Sequence, residues 1–265
     1  MATHDHSTPA YNIYTLEQRP EFRNRISPLN AKCWPAFMME DPVAAQHWNT
    51  LLDTFAPFQF VLCAEDNTLT AAGNAIPVLW DATTEGLPEG WDSVLEQGVR
   101  DREQNRAVNT LSALSITVDP QHQGSGLSRL MVQVMRSIAA THGFLNLIAP
   151  VRPSFKSHYP LTPIERYITW QQPDGAPFDP WLRVHWRLGA RILKVAPRSM
   201  VIPGTVAEWE AWAAMPFPES GGYVVPGALS PVTIDREQDR GEYVEPNVWM
   251  RHAIDAEGAA ASADA

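Results

Sequence analysis

Apolar and polar positions alternate over Tyr11–Thr15, and the period of two predicts a first strand there. Asp41-Pro42 then carries the cap-and-first-turn pairing that opens a helix. Ala45, Trp48, Leu51 and Leu52 follow at the spacing of one helical face. Gln59–Ala64 reads as a buried strand, Glu65-Asp66-Asn67 as a turn, and Leu69–Trp80 as the hairpin partner. An acidic stretch marked by Gly and Pro leads into a short polar helix around Asp92–Arg102, and Thr110–Val118 mixes β-branched and apolar residues as a strand does.

The clearest helical signal is Leu127, Leu130, Met131, Val134 and Ile138, which fall on one face of a helix that Gly143 closes. Phe144–Val151 predicts another apolar strand, and 152–180 a long connection punctuated by proline. Asp179-Pro180 caps a helix over Trp181–Leu188, stopped by Gly189. Further strands are expected over Arg191–Val201, Gly221–Ile234 and Glu242–His252. The polar start, residues 1–10, and the small, acidic end, residues 253–265, are expected to be flexible. No internal repeat divides the chain, so 11–252 reads as one α/β domain of the α+β type, with an insertion at 152–180 and a C-terminal extension at 203–252.

Composition narrows the classes. With 45% hydrophobic and 19% charged residues the chain is too apolar to be disordered. It has no apolar run long enough to span a bilayer and no secretory signal pattern, so a cytoplasmic location is expected. Two cysteines, Cys33 and Cys63, make neither a disulfide framework nor a zinc finger. Proline, 23 of 265 residues, sits largely in the stretches that read as loops. The net charge of −10 is unevenly placed. Residues 1–100 carry 5 basic and 13 acidic groups, 101–200 carry 12 and 6, and 201–265 carry 3 and 11. A basic centre between acidic ends suggests a bound anion at the centre. The acidic ends, and the absence of exposed aromatics interleaved with the basic residues, argue against nucleic acid.

That basic centre holds the segment Val118-Asp119-Pro120-Gln121-His122-Gln123-Gly124-Ser125-Gly126-Leu127-Ser128. A strand ends in a Gln-Gly-Ser-Gly turn that opens the best helix in the chain. Glycines let backbone N–H groups close around an anion, and the helix N-terminus adds its positive end. An ordinary strand-to-helix turn using glycine for its φ angles is the competing reading. The other phosphate motifs fail: there is no Gly-Lys-Ser/Thr, Arg129 stands where a dinucleotide fingerprint has its third glycine, and no acidic residue occurs near Asn146, where the ribose would need one.

The segment resembles the acetyl-CoA-binding motif of the GNAT (GCN5-related) N-acetyltransferase superfamily, a strand with Val-x-Pro followed by Gln/Arg-x-x-Gly-x-Gly/Ala at a helix start. It maps onto Val118, Pro120, Gln123, Gly126 and Ser128, with Ser128 in the place of the usual Gly/Ala. The resemblance implies a mixed, mostly antiparallel, twisted sheet flanked by helices. It implies that the backbone of Ile116, Thr117 and Val118 binds the pantetheine arm as an added strand would, and that the N–H groups of Gln123, Gly124, Ser125, Gly126, Leu127 and Ser128 hold the pyrophosphate. Acetyl-CoA or another acyl-CoA is then the co-substrate, with no metal.

The family's second region, similar to Phe-Tyr-x-Lys-x-Gly-Phe, corresponds to Val184-His185-Trp186-Arg187-Leu188-Gly189-Ala190, so His185 stands where the usual acid, a Tyr, would be. His185 shares the stripe of Trp181, Val184 and Leu188 and should face inward, either as a general acid or as a hydrogen-bonded core histidine. No carboxylate lies within Leu111–Val118, where the family's base is usual, and Asp119 has the place of a turn-former before Pro120. The 152–180 insertion offers Tyr159 as an alternative acid and Glu165 as a base, if it closes as a lid over the acceptor; a solvated surface is the plainer reading of its polar residues. The ten tryptophans and Met38-Met39 read as core, and His4-Asp5-His6 as part of the flexible start.

The expected activity is transfer of an acyl group from acyl-CoA to the amine of a small molecule or peptide by direct attack in a ternary complex. Neither cysteine lies near the motif, so no acyl-enzyme is indicated. A non-catalytic CoA-binding regulatory module is the alternative, motivated by the missing Tyr and carboxylate, and a nucleotide-binding oxidoreductase a distant third. Nothing in the residues names the acceptor or the oligomeric state, a homodimer being one option.

Overall fold

The structure, a computed structural model, describes residues 11–254. The start, residues 1–10 with His4-Asp5-His6, and the tail beyond Ile254 lie outside the described residues. Nine strands and seven helices follow in the order β1 (Asn12–Thr15), α1 (Arg23–Cys33), α2 (Pro42–Thr54), β2 (Gln59–Cys63), β3 (Leu69–Val78), α3 (Trp91–Glu103), β4 (Thr110–Val118), α4 (Leu127–Thr141), β5 (Asn146–Val151), α5 (Ile164–Tyr167), α6 (Pro180–Arg187), β6 (Arg191–Gly204), α7 (Val206–Ala213), β7 (Gly221–Tyr223), β8 (Val232–Asp235) and β9 (Arg240–Ala253).

The strands join in one sheet of order β1-β2-β3-β4-β5-β9-β8-β7, with β6 also paired to β9. Every pairing is antiparallel except β4 with β5, which run parallel. This is the mixed, mostly antiparallel sheet the motif resemblance implies. The parallel pair is short: Thr110, Leu111 and Ser112 face Asn146, Leu147 and Ile148, and the pairing stops there. Beyond it β4 runs on to Val118 alongside β3, and β5 runs on to Val151 alongside β9, so the two strands diverge and open a gap in the middle of the sheet.

Helices cover both faces. The apolar stripe of α4, Leu127, Met131, Met135 and Ala139, packs on Phe60, Leu62, Leu111 and Leu147, each fully buried apolar side chain contributing about 1.5–3 kcal/mol. On the other face α2 and α3 enclose the largest cluster, with Leu51, Trp91, Val94, Leu95, Trp209 and Trp249. Met38 joins this core, whereas Met39 is exposed.

The pattern misses three helices: α1, α7 and the four-residue α5, which lies inside the stretch 152–180 read as a connection. In α1 an internal Pro28 obscures a valid spacing, since Phe22, Ile26, Leu29 and Cys33 form one face packed on Val61 and Ala72. Helix α7 begins with Thr205-x-x-Glu208, a full capping box whose two reciprocal hydrogen bonds are both present. The expected strand Gly221–Ile234 is instead the two short strands β7 and β8, paired antiparallel, because Pro226-Gly227 and Pro231 break it. Strand β6 runs three residues past its expected end, and β9 reaches Ala253, with the amide of Ile254 bonded to the carbonyl of Leu145. Among the described residues no helix is long and apolar enough to cross a membrane.

Candidate functional site

The glycine turn lies where β4 leaves the sheet. Asp119 shapes its start by accepting from the backbone amide of Gln121 at 3.0 Å, and the Gln123 side chain donates through Nε2 to the Val118 carbonyl at 3.2 Å. The Ser125 hydroxyl donates back to the His122 carbonyl. Gly124 and Gly126 have φ of +78° and +85°, which glycine adopts without strain. A Cβ placed on either meets no atom within 4 Å, so the space in front of the turn is open. Gly126 caps α4 with no side chain bonded to its first amides. Unfilled N–H groups, a helix dipole and free space coincide, which is what a diphosphate requires.

The gap supplies the rest. Thr117 pairs with Ala72 and the Asp119 amide bonds to Thr70, so alternation along an antiparallel strand turns the backbone groups of Ile116 and Val118 toward the β5 side. No strand pairs with them there among the described residues. The residues expected to hold acyl-CoA, Ile116–Val118 and Gln123–Ser128, thus form one continuous track from open strand edge to helix start.

At the head of this track β4 carries a bulge. Asn74 faces Ser115 and Ala75 faces Ala113, so Leu114 is the extra residue. The Leu114 carbonyl is held by the indole N–H of buried Trp91 at 2.8 Å. Ser115 donates to Asn74 Oδ1 at 2.8 Å, and Asn74 donates to Gln59 Oε1 at 3.0 Å. Further along, Thr117 donates to Asn30 Oδ1 at 2.9 Å and accepts from the Trp34 indole at 3.1 Å, which fixes α1 and the segment after it against β4.

A second polar group closes the β5 side. Arg152, the residue after β5, donates to Glu245 Oε2 at 2.8 Å and to the Gly227 carbonyl at 2.7 Å, with its guanidinium over the Trp34 ring. Glu245 also accepts from Tyr243 at 3.0 Å and Asn247 at 3.1 Å. Asn247 in turn accepts from Ser199, which accepts from the Trp91 amide. Behind this chain lie the buried carboxyls of Asp41 and Asp92, whose Oδ2 and Oδ1 atoms respectively have no hydrogen-bond partner among the described residues. Burial, and for Asp92 the neighbouring Asp41, raises both above the ordinary carboxylate range, as expected where two acids are buried side by side.

The three residues weighed for acid–base chemistry are not brought together. Glu165 is exposed on α5. Tyr159 is 38% exposed and packs edge-on against Trp170 and Phe178. His185 faces inward and is 3% exposed, its Nδ1 2.9 Å from Nε2 of His252, with its ring against Trp181. His252 stands level with Leu147, and Leu147 with Leu111, where β4 and β5 are still paired. Burial and the neighbouring His252 push His185 down to about 3, and burial and Arg136 push His252 down to about 4. Both are therefore neutral in the fold, while unfolding lets them protonate near 6.5.

Their stability contribution is complete above that value and lost as pH falls. At pH 5.5 the loss is about 1.4 kcal/mol for each histidine. Replacing His185 by Phe leaves His252 without its partner and should lower stability by about 1–3 kcal/mol. The same change should flatten the decline between pH 7 and 5.5 while amine-dependent turnover persists. Denaturant titration at the two pH values together with a turnover assay checks this; lost turnover at unchanged stability would make His185 an acid.

Sequence comparison identifies a relative of the same length class. The chain is 33% identical to the arginine N-acetyltransferase avaD of Aspergillus versicolor over 93% of its own length and 95% of that protein. No protein-family model matches the sequence. Among solved structures it is similar to the loading GNATL domain of CurA from Lyngbya majuscula, with a TM-score of 0.60 at 17% identity over 92% of this chain and 98% of that one. It is also similar to the GphF GNAT-like decarboxylase in complex with isobutyryl-CoA, with a TM-score of 0.58 at 17% identity over 92% of this chain and 100% of that one. Those two likenesses concern the fold. The divergent β4–β5 pair, the glycine turn at the start of α4 and the acetyltransferase relative agree: the chain belongs to the GNAT superfamily of N-acetyltransferases.

Proposed function

We propose that the protein transfers an acetyl group from acetyl-CoA to an amine of arginine or a closely similar small guanidino compound, by direct attack within a ternary complex. The observation that carries the donor assignment is the track of Ile116–Val118 and Gln123–Ser128. Backbone groups on a strand edge with no partner strand among the described residues suit an amide-bearing arm, and the uncapped amides of α4 with open glycines suit a diphosphate. The acceptor assignment rests on the name of the relative that matches nearly the whole chain.

Transfer to an amine asks the protein to hold two substrates head to head and to stabilise the developing oxyanion. The bulged head of β4, fixed by Trp91 on the Leu114 carbonyl, is the rigid backbone beside which the thioester carbonyl would lie. Cys33 lies beside the motif strand in the fold, donating to the Val118 carbonyl at 3.4 Å, but burial holds its thiol above the ordinary range and so disfavours the thiolate an acyl-enzyme needs. Among the described residues no group of three or more His, Cys, Asp or Glu is placed to hold a metal ion.

Calorimetry with acetyl-CoA and thiol release in the presence of L-arginine and a panel of other amines test the reading. Saturable binding and arginine-dependent thiol release are expected. No binding at millimolar acetyl-CoA would overturn the donor, and release with another amine alone would overturn the acceptor. Binding without release to any amine would restore the non-catalytic CoA-binding module.

A further inference from the structure

The polarity of one hydroxyl at the bulge is set by a chain of hydrogen bonds that begins on the backbone. Gln59 is fully buried, and its Nε2 donates to two carbonyls, Phe55 at 2.9 Å and Ala75 at 2.8 Å. Its Oε1 accepts from the Ala75 amide at 3.3 Å. Carbonyls cannot donate and an amide N–H cannot accept, so the Gln59 side chain has one orientation. Its Oε1 then requires Nδ2 of Asn74, itself fully buried, on the facing strand. A flipped Asn74 would set oxygen against oxygen, so Asn74 Oδ1 must point at Ser115 and accept its proton.

Ser115 is the end of this chain and the one member not fully buried. It stands on β4 immediately after the bulged Leu114, in the stretch where β5 has already turned away. Its hydrogen is committed to Asn74, so what it offers to anything in the gap is lone pairs alone. A free serine hydroxyl would serve a donor or an acceptor equally; this one serves donors.

We propose that Ser115 is the anchor for an N–H of the attacking amine, with Asn74 and Gln59 as positioning residues that hold its lone pairs toward the substrate. The inference rests on the proposed transfer to an amine and deepens it. An amine nitrogen that gives a hydrogen to Ser115 keeps its own lone pair free for the thioester carbonyl. The site therefore takes nitrogens that carry hydrogen, primary amines and guanidines, and rejects tertiary amines. Two fully buried polar side chains, Gln59 and Asn74, would be a costly way to fill a core, since each needs its partners satisfied; here they are bonded in a way that leaves the half-buried Ser115 with its lone pairs outward.

The test compares Ser115→Ala, Ser115→Thr and Ser115→Cys by steady-state kinetics with acetyl-CoA and L-arginine, and by calorimetry with CoA. Losing the anchor should raise the KM for arginine about tenfold in Ser115→Ala. The KM for acetyl-CoA and the affinity for CoA should stay at the wild-type values. Thr keeps the hydroxyl and should restore the arginine KM, whereas Cys, a weak acceptor, should not. A purely structural role would move both KM values together or neither. An unchanged arginine KM in Ser115→Ala, or rescue by Cys as full as by Thr, overturns the anchor alone. No arginine-dependent or other amine-dependent thiol release by the wild-type protein overturns the transfer reading and the anchor with it.

Discussion

Gly126→Glu should reduce acyl-CoA affinity by more than about a hundredfold while the protein still folds. The position has open space, so the new side chain displaces nothing. Its φ of +85° strains any residue with a Cβ, by about 1–2 kcal/mol. A carboxylate at the start of α4 partly offsets that strain, because it satisfies the amides that Gly126 leaves uncapped. The charge that suits the helix is the charge that excludes the ligand: it fills the anion site and repels the diphosphate. Loss of about 3 kcal/mol of binding corresponds to the hundredfold change. Calorimetry with CoA, beside a thermal melt, reads both effects. Affinity within a few-fold of wild type would place the diphosphate elsewhere.

Arg152→Ala should cost more stability than any other single exposed-to-buried change at the site. Arg152 is 17% exposed, but its partner Glu245 is 1% exposed and has no other cation to neutralise it in the contacts described. Tyr243 and Asn247 donate to the Glu245 carboxylate without cancelling its charge. Removing one member of a buried pair typically costs about 3–5 kcal/mol because the other is left charged in the core. The Gly227 carbonyl loses its donor in the same step. Glu245→Gln added to Arg152→Ala should recover much of the loss. Denaturant unfolding of the wild type and of the single and double variants distinguishes these outcomes, and a deficit under about 1 kcal/mol would mean the pair behaves as a surface bridge.

The proposed acyl-CoA track could be put forward from the chain alone because anion binding at a helix start is a local property. Val118 to Ser128 are contiguous, and the glycines, the strand before them and the helix after them can be recognised without knowing what surrounds them. Two of the three missed helices, α1 and α7, were readable as well. Phe22, Ile26, Leu29 and Cys33 hold the helical spacing despite Pro28, and Thr205 with Glu208 is a capping signature. His185 shows the opposite case. Its stripe on α6 correctly turns it inward, but whether inward means substrate or core depends on what waits there, and His252 lies 67 positions away.

The acceptor side has no local signature at all. Arg152 meets Glu245 across 93 positions, Trp91 meets Ser199 across 108, and Ser115 meets Asn74 across 41. Each is an ordinary residue in its own segment and gains its role from the strand register that sets it opposite a partner. Hydrophobic periodicity, caps and the glycine turn are short-range physics, so most of the elements, their order and the place proposed for the diphosphate could be read from the residues in a line. The opening between β4 and β5, the direction of the Ser115 hydroxyl and the neutrality of the His185–His252 pair are long-range physics. They depend on burial and on partners that only the folded sheet brings within reach.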